Sequence, residues 1–341
     1  MEFGISFPAT LDAPRQAQFA EELGFTYVGF YDTPALEADV WITVANALQA
    51  TRTIHVGPQV LIPSLRHPIA QAAAIATIEQ LAPGRLYVAM GTGFTGRMAM
   101  GQRPLTWASM RTFLVELRAL LAGDQIEIEG AVTQMLHPLP SSGLVRPAGV
   151  PLLVAANGPK GIALAREMGD GLVYGGSQDQ VPQGFSMLQL SAGNFIVLEE
   201  GESASSPRVL DAARIGFATR YHVLYEGSAG QSVLLEQLPY GSDWRKTLDR
   251  HPAEVRHLIV HDQHCVGVND LDAEFIDRHP DALEQFAAET AITRAQYKER
   301  IEAVAALGAT RISFPSYVDG DWASLLRTYA AIANLEHLTA N

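Results

Sequence analysis

The alternation of apolar and polar positions divides the chain into short buried runs separated by amphipathic helices. A strand is predicted over Phe3 to Phe7, then a helix from about Pro14 to Leu23 that Gly24 ends. Tyr27 to Phe30 reads as the next strand, followed by a helix over Val40 to Ala50 and a strand over Ile54 to Val60. Beyond it, Ile69, Ala72, Ala73 and Ala76 fall at i, i+3, i+4 and i+7, and Ile75 and Ile78 widen the apolar face. Pro83-Gly84 stops this alanine-rich helix, because proline cannot continue it and glycine tolerates a left-handed turn. Leu86 to Met90 is a continuous apolar run, as in strands buried on both faces. Gly91-Thr92-Gly93 then places bare backbone and one hydroxyl at the carboxyl end, where α/β proteins bind ligands.

The pattern continues with a helix over Leu105 to Leu121 and a polar-apolar alternation from Gln125 to Leu136 around Gly130, which predicts an exposed hairpin. Pro151 to Ala155 and Leu172 to Tyr174 are strands flanking a helix from about Pro159 to Met168. A faint repeat supports the reading. Leu23-Gly24-Phe25-Thr26-Tyr27-Val28-Gly29-Phe30 matches Leu307-Gly308-Ala309-Thr310-Arg311-Ile312-Ser313-Phe314: a helix end, a capping glycine, a turn and a strand. With a seventh strand around Ile215 to Val223 and an eighth over Arg311 to Pro315, eight βα units favour a closed (β/α)8 TIM barrel over an open doubly wound sheet. The expectation is one domain over 1–341, with a polar, His- and Asp-rich insertion at 226–290 acting as a lid between the seventh strand and a helix starting near Thr293.

Composition narrows the function. Hydrophobic residues make up 48% of 341 and charged residues 18%, which excludes a disordered chain. A net charge of −13 argues against nucleic acid and acidic membrane surfaces as partners. No apolar stretch approaches a membrane span, and the opening MEFGISFPAT lacks a signal-peptide pattern. A single cysteine, Cys265, fits a reducing compartment, so the expected location is cytoplasmic.

In a barrel the site is built from strand ends. These are Asp32 and Thr33, Pro63 to His67, Gly91 to Phe94, Ala155 to Lys160, and Gly175 with Gly176. So many small residues suit a flat ring lying on the barrel mouth, or else serve only as tight βα turns. Asn157-Gly158-Pro159-Lys160-Gly161 enters a helix whose free N–H groups could receive a phosphate or carboxylate. Asp32 is a candidate acid or base, and equally a structural carboxylate. His257, His261 and His264 fall at i, i+4 and i+7 beside Cys265, so a helix would stack them on one face. That face is read as solvated or as a substrate-facing lid, and no metal is assigned. Trp41 is either core packing or a ring-stacking platform, and Tyr317 and Asp319 are pocket-rim candidates.

Arg66-His67-Pro68, the alanine-rich helix, Ala82-Pro83-Gly84-Arg85 and Gly91-Thr92-Gly93 resemble the bacterial luciferase-like superfamily of flavin and deazaflavin oxidoreductases. Val154 to Gly161 followed by Gly169-Asp170-Gly171 resembles its next signature block. Within the superfamily the chain is most similar to the methylenetetrahydromethanopterin reductase-like branch, which uses coenzyme F420, with FMN as the alternative cofactor. The resemblance implies a ring resting against Ser64, Leu65, Thr92, Gly93, Ala155 and Ala156, and a non-proline cis peptide near Ser64-Leu65. It implies that Lys160 and Arg97 meet the anionic tail, near Asn157, Gly158, Gly175 and Gly176. Sugar-phosphate dehydrogenases of the superfamily carry a histidine and a glutamate where this chain has Thr33 and Phe94, so that substrate class is not expected.

The leading expectation is therefore a reductase-like enzyme moving a hydride between coenzyme F420 and a small organic substrate with a C=N or C=C bond. The alternatives are an FMN-dependent monooxygenase and a non-catalytic flavin-binding barrel, and the expected protein partner is a separate flavin or F420 reductase. Thr33, Trp41, Phe94, His261, His264 and Tyr317 are the expected substrate-pocket residues, and a homodimer is the expected assembly.

Overall fold

In a computed structural model, which describes residues 1–137, 143–144, 148–227, 234–316 and 321–335, eight parallel strands close into a barrel. They are β1 (Glu2–Phe7), β2 (Tyr27–Phe30), β3 (His55–Leu61), β4 (Val88–Met90), β5 (Leu152–Ala155), β6 (Gly171–Tyr174), β7 (Leu188–Ser191) and β8 (Arg311–Phe314). Each strand pairs with its sequence neighbours, and β8 closes on β1 with Phe3 opposite Ile312. The fold is the (β/α)8 barrel that the eight repeated units predict.

Local chemistry explains the helices on the outside. Helix α1 (Ala13–Glu22) ends before Gly24, and α12 (Arg294–Ala306) ends before Gly308; the two glycines take φ of 88° and 89°. That shared left-handed turn is the physical content of the internal repeat. Asp39 caps α2 (Val40–Ala50), accepting the Trp41 and Ile42 N–H groups at 2.9 and 3.2 Å. Helix α3 (Pro68–Leu81) starts at a proline after His67, and α6 runs over Pro159–Met168 as the pattern predicts. The short helix α4 (Phe94–Met98) and α5 (Trp107–Ala122) separate β4 from the hairpin Ile126–Ile128/Ala131–Thr133, which turns at Glu129 and Gly130 with positive φ at both.

The structure overturns one strand. Ile215 to Val223 lies inside helix α7 (Pro207–Gly227), and the seventh strand is Leu188–Ser191. Buried positions Val209, Ala213, Phe217, Tyr221 and Tyr225 recur every four residues, so the apolar run belongs to a helix. The true strand is four residues long and buries a polar Gln189. After β7 the chain leaves the barrel at Ile196–Val197, which pairs with Ala291–Ile292 on its return. Between them lies the insertion, 198–290, which starts earlier than the expected 226 because α7 belongs to it. Helices α7, α8 (Gly241–Leu248), α9 (Arg256–His261), α10 (Asp270–Arg278) and α11 (Pro280–Thr290) share a second apolar core around Phe217, Tyr221, Trp244 and Phe275. Among the described residues no helix is long and apolar enough to cross a membrane.

Inside the barrel, the Arg311 guanidinium lies 3.8 Å from the Tyr27 ring centroid and 4.5 Å from that of Tyr87, and it pairs with Glu2 at 2.9 Å. Packing on β3 is as tight as backbone allows: a Cβ on Gly57 would stand 1.9 Å from the Tyr87 carbonyl oxygen. Gly57→Ala is expected to destabilise the protein by about 3 kcal/mol, read as a lower midpoint in urea, because the neighbour is backbone and cannot yield as a side chain would.

Candidate active site

The carboxyl ends of β2, β3 and β4 build the best-defined part of the rim. Asp32 follows β2 and is only 2% exposed. Its carboxylate accepts the Ile62 N–H at 3.1 Å and Nη1 of Arg66 at 2.9 and 3.0 Å. Arg66 uses its other nitrogen, Nη2, to reach Asp39 at 2.7 Å. One guanidinium thus ties the β2 and β3 loops to the start of α2. Burial pushes the Asp32 carboxyl above the usual carboxylate range while Arg66 pulls it down, and the two carboxylates hold Arg66 firmly charged. Both oxygens of Asp32 are engaged, and the residue also lines the cavity beside it.

Beside this bridge is a cavity of about 250 Å³, lined by Tyr31, Thr33, Glu37, Val60, Gly93 and Phe94 from the barrel and by His264 and Cys265 from the insertion. Glu37 was not among the residues singled out by sequence, and nothing in its loop, Thr33 to Asp39, marks it. Its Oε2 is shut off from solvent and has no hydrogen-bond partner. Burial pushes its carboxyl up to about 8, with nearby Asp32 adding to the effect, so it is mainly neutral at pH 7. The cavity therefore presents a protonated carboxylic acid.

The floor next to it is made of small residues. A Cβ on Gly91 would meet Val60 at 2.8 Å and Ala155 at 3.8 Å, so these three positions form one continuous surface. The cis peptide expected near Ser64-Leu65 lies instead at Gln59–Val60, where β3 shifts register against β4. Pro63–Leu65 forms a single 3-10 turn. Ser64 is exposed and accepts Nη1 of Arg97 at 2.5 Å, while Nε of Arg97 donates to the Arg103 carbonyl at 2.6 Å. Leu65 and Thr92 are half-buried, and Gly93 precedes α4. Farther round, the Ala156 N–H donates to Val173, and Asn157 Oδ1 accepts the Gly175 N–H at 2.8 Å. Gly158 and Lys160 at the start of α6 are exposed, as is Gly175, and Gly176 is half-buried.

Other predicted pocket residues separate. Trp41 is a core residue, with its indole N–H donated to Gln71 at 2.5 Å. Phe94 stands at the rim, 37% exposed, between the first cavity and a second of about 580 Å³ that reaches Arg103, Arg256 and His257. Helix α9 ends at His261, and Gln263 and Cys265 take positive φ, so the three histidines do not share a helix face. His261 turns back to the His257 carbonyl at 2.8 Å and is buried, whereas His264 reaches the cavity wall. Tyr317 and Asp319 lie outside the described residues.

The family model for luciferase-like monooxygenases matches residues 1–183, more than half the chain. The protein belongs to the luciferase-like family. Similar proteins include the 5,10-methylenetetrahydromethanopterin reductase of Archaeoglobus fulgidus, 28% identical over 184 residues covering 52% of this chain and 54% of that one. The F420-dependent glucose-6-phosphate dehydrogenase of Beutenbergia cavernae is 33% identical over 147 residues, 39% of this chain and 40% of that one. The chain thus spans about half the length of the curated relatives it matches. Two solved structures share the fold: the coenzyme F420-dependent tetrahydromethanopterin reductase of Methanopyrus kandleri (TM-score 0.64, 16% identity, 96% and 97% covered) and a Streptomyces bottropensis monooxygenase (TM-score 0.59, 17%, 99% and 100%).

In this luciferase-like barrel the matched segment takes in β1 to β6 and every rim residue from Asp32 to Gly176. It ends before β7, so the insertion that brings His264 to the cavity lies beyond it. Two consequences follow for stability. Arg66→Met leaves the Asp32 charge buried and unpaired, and is expected to cost about 3 kcal/mol. The loss should be larger at high pH than at low, because protonation then relieves Asp32; guanidinium unfolding across a pH series measures it. For Glu37, the folded pKa of about 8 stands above the ordinary 4.5. Its protonated form is favoured by folding, so this group costs stability increasingly as pH rises from 4.5 through about 8. Glu37→Gln should remove that slope and gain ~4 kcal/mol on wild type between the two ends of the range.

Proposed function

We propose that this luciferase-like protein is a coenzyme F420-dependent oxidoreductase that acts in the reductase sense on a small organic substrate. The observation that carries the reading is the pairing of a flat small-residue floor, Val60, Gly91 and Ala155, with a cavity presenting a neutral carboxylic acid at Glu37. The floor admits a planar ring because no bulky side chain rises from it. The exposed Lys160 and Gly158 at the start of α6 admit an anionic tail: a Cβ on Gly158 would meet nothing within 4 Å.

Ser64, Leu65, Thr92, Gly93, Ala155 and Ala156 would hold the ring, and Asn157, Gly158, Lys160, Gly175, Gly176 and Arg97 the tail. When bound, coenzyme F420 supplies two-electron hydride chemistry. The protein's share is to orient the substrate and exclude water. Glu37 donates a hydrogen bond from a neutral carboxyl to a substrate nitrogen or oxygen, and the Asp32–Arg66–Asp39 bridge keeps the loops that carry it in register. Curated relatives named as F420-dependent dehydrogenases support this cofactor, and the absence of the histidine and glutamate at Thr33 and Phe94 supports a substrate other than a sugar phosphate.

Fluorescence titration of the purified protein with coenzyme F420 and, separately, FMN tests the proposal. Micromolar binding of coenzyme F420 and at least about tenfold weaker binding of FMN are expected, a gap of roughly 1.4 kcal/mol. The opposite preference would replace the proposal with an FMN-dependent monooxygenase.

A further inference from the structure

The insertion places three ionisable side chains in one hydrogen-bonded row that ends at the cavity. Asp272 of α10 accepts Nε2–H of His222, from α7, at 2.8 Å on Oδ2. Nδ1 of His222 meets Nδ1 of His264 at 2.8 Å, and His264 lines the cavity. All three residues are 4% exposed or less. The row is built, not incidental. Trp244 donates its indole N–H to Asp272 Oδ1 at 2.9 Å, and Asn269 caps the Asp272 N–H at 2.9 Å. Asn269 also donates to the carbonyls of Ile259 and Asp262 at 3.0 and 3.1 Å, which fixes the turn that carries His264.

Two facing Nδ1 atoms can share only one proton, and this dictates the tautomers. With His222 neutral, its Nε2–H goes to Asp272 and its bare Nδ1 must accept from Nδ1–H of His264. Nε2 of His264 is then a lone pair. If a proton arrives at that Nε2, the shared proton moves from His264 to His222. The added charge then sits on His222 beside the Asp272 carboxylate, and His264 is again neutral, now with N–H on Nε2. No bond other than N–H forms or breaks, and one proton is conserved throughout.

We propose that Asp272, His222 and His264 form a proton relay through which the cavity takes up or releases one proton at Nε2 of His264. Burial and the neighbouring histidines hold His264 down to about 2, which fits a ring that passes the charge on and does not keep it. Glu37 is a poorer proton port in the same cavity, because giving up its proton would leave a buried carboxylate near Asp32 with no cation and only the Ala9 N–H to meet it. In this arrangement His264 is the catalytic residue and His222 and Asp272 are positioning residues. The use of the proton in a substrate reaction rests on the function proposed above; the relay itself does not.

Other ionisable groups face the row. Glu226 comes from α7, His257 and His261 from α9, Cys265 from the turn, and Asp32 and Glu37 from the rim. His261 has its own acceptor at the His257 carbonyl and stands outside the row, 5.2 Å from the His264 ring. Among the described residues no three His, Cys, Asp or Glu side chains form a metal-holding group.

Nitrogen-15 NMR of histidine-labelled protein, with no cofactor present, reads the relay directly. At high pH His264 is expected as the Nδ1–H tautomer. On acidification, the proton taken up by the pair should appear on His222 together with a switch of His264 to Nε2–H. A His264 that keeps one tautomer through that uptake, or becomes the charged ring itself, or a pair that takes up no proton before the protein unfolds, overturns the proposal. Asp272→Asn should weaken proton uptake by the pair by roughly tenfold or more. If that variant does not fold, His264→Gln serves in its place, and His222 should then titrate at an altered pH; an unaltered His222 titration would also overturn the relay. Failure of the coenzyme F420 titration with these NMR results intact would remove the proposed function and leave the relay standing.

Discussion

Closure of the first strand on the last is the constraint on which everything else rests. The β1–β8 pairing brings Arg311 between the Tyr27 and Tyr87 rings and against Glu2, so residues from both ends of the chain hold one buried cation. A buried guanidinium is tolerable only when its charge is met by a carboxylate and aromatic faces, and only the closed barrel supplies both. Once the ring is closed and every strand is parallel, all eight carboxyl ends lie on one rim. The site is a consequence of that geometry.

On the rim, electrostatics distributes the roles. Asp32, which the sequence leaves open between an acid or base and a structural carboxylate, pairs with Arg66 and so braces two loops. Glu37 is left without a cation, and burial keeps it neutral, which suits it to donate a hydrogen bond. The family-matched half, residues 1–183, provides the floor and this acid. The wall opposite comes from the insertion, with its own core and its own row of histidines. A barrel of this kind can keep one floor and change its chemistry through the segment laid over it.

Much of the fold was legible because its signals are local. Helix α6 begins and ends where Pro159 and Met168 suggest, and the repeat around Gly24 and Gly308 reflects a real shared turn. Ile215 to Val223 misled because a buried helix and a buried strand both look apolar over nine residues, and only the four-residue recurrence from Val209 to Tyr225 tells them apart. The histidine spacing misled for another reason. Three residues at helical intervals stack only if the helix continues, and here it stops at His261 before two left-handed positions. The sequence leaves Trp41 open between two roles, and the bond from its indole N–H to Gln71, a partner 30 residues away, ties it into the core.

The sequence by itself determined the repeated βα units, the glycine-rich strand ends and the family, because these depend on neighbours a few residues apart. Tertiary structure alone decided which carboxylate is paired and which is neutral, and which histidines meet. Asp32 finds Arg66 34 residues later, and His222 finds His264 and Asp272 42 and 50 residues later. Charge state and tautomer are set by what stands within about 3 Å in space. Sequence order does not encode that distance.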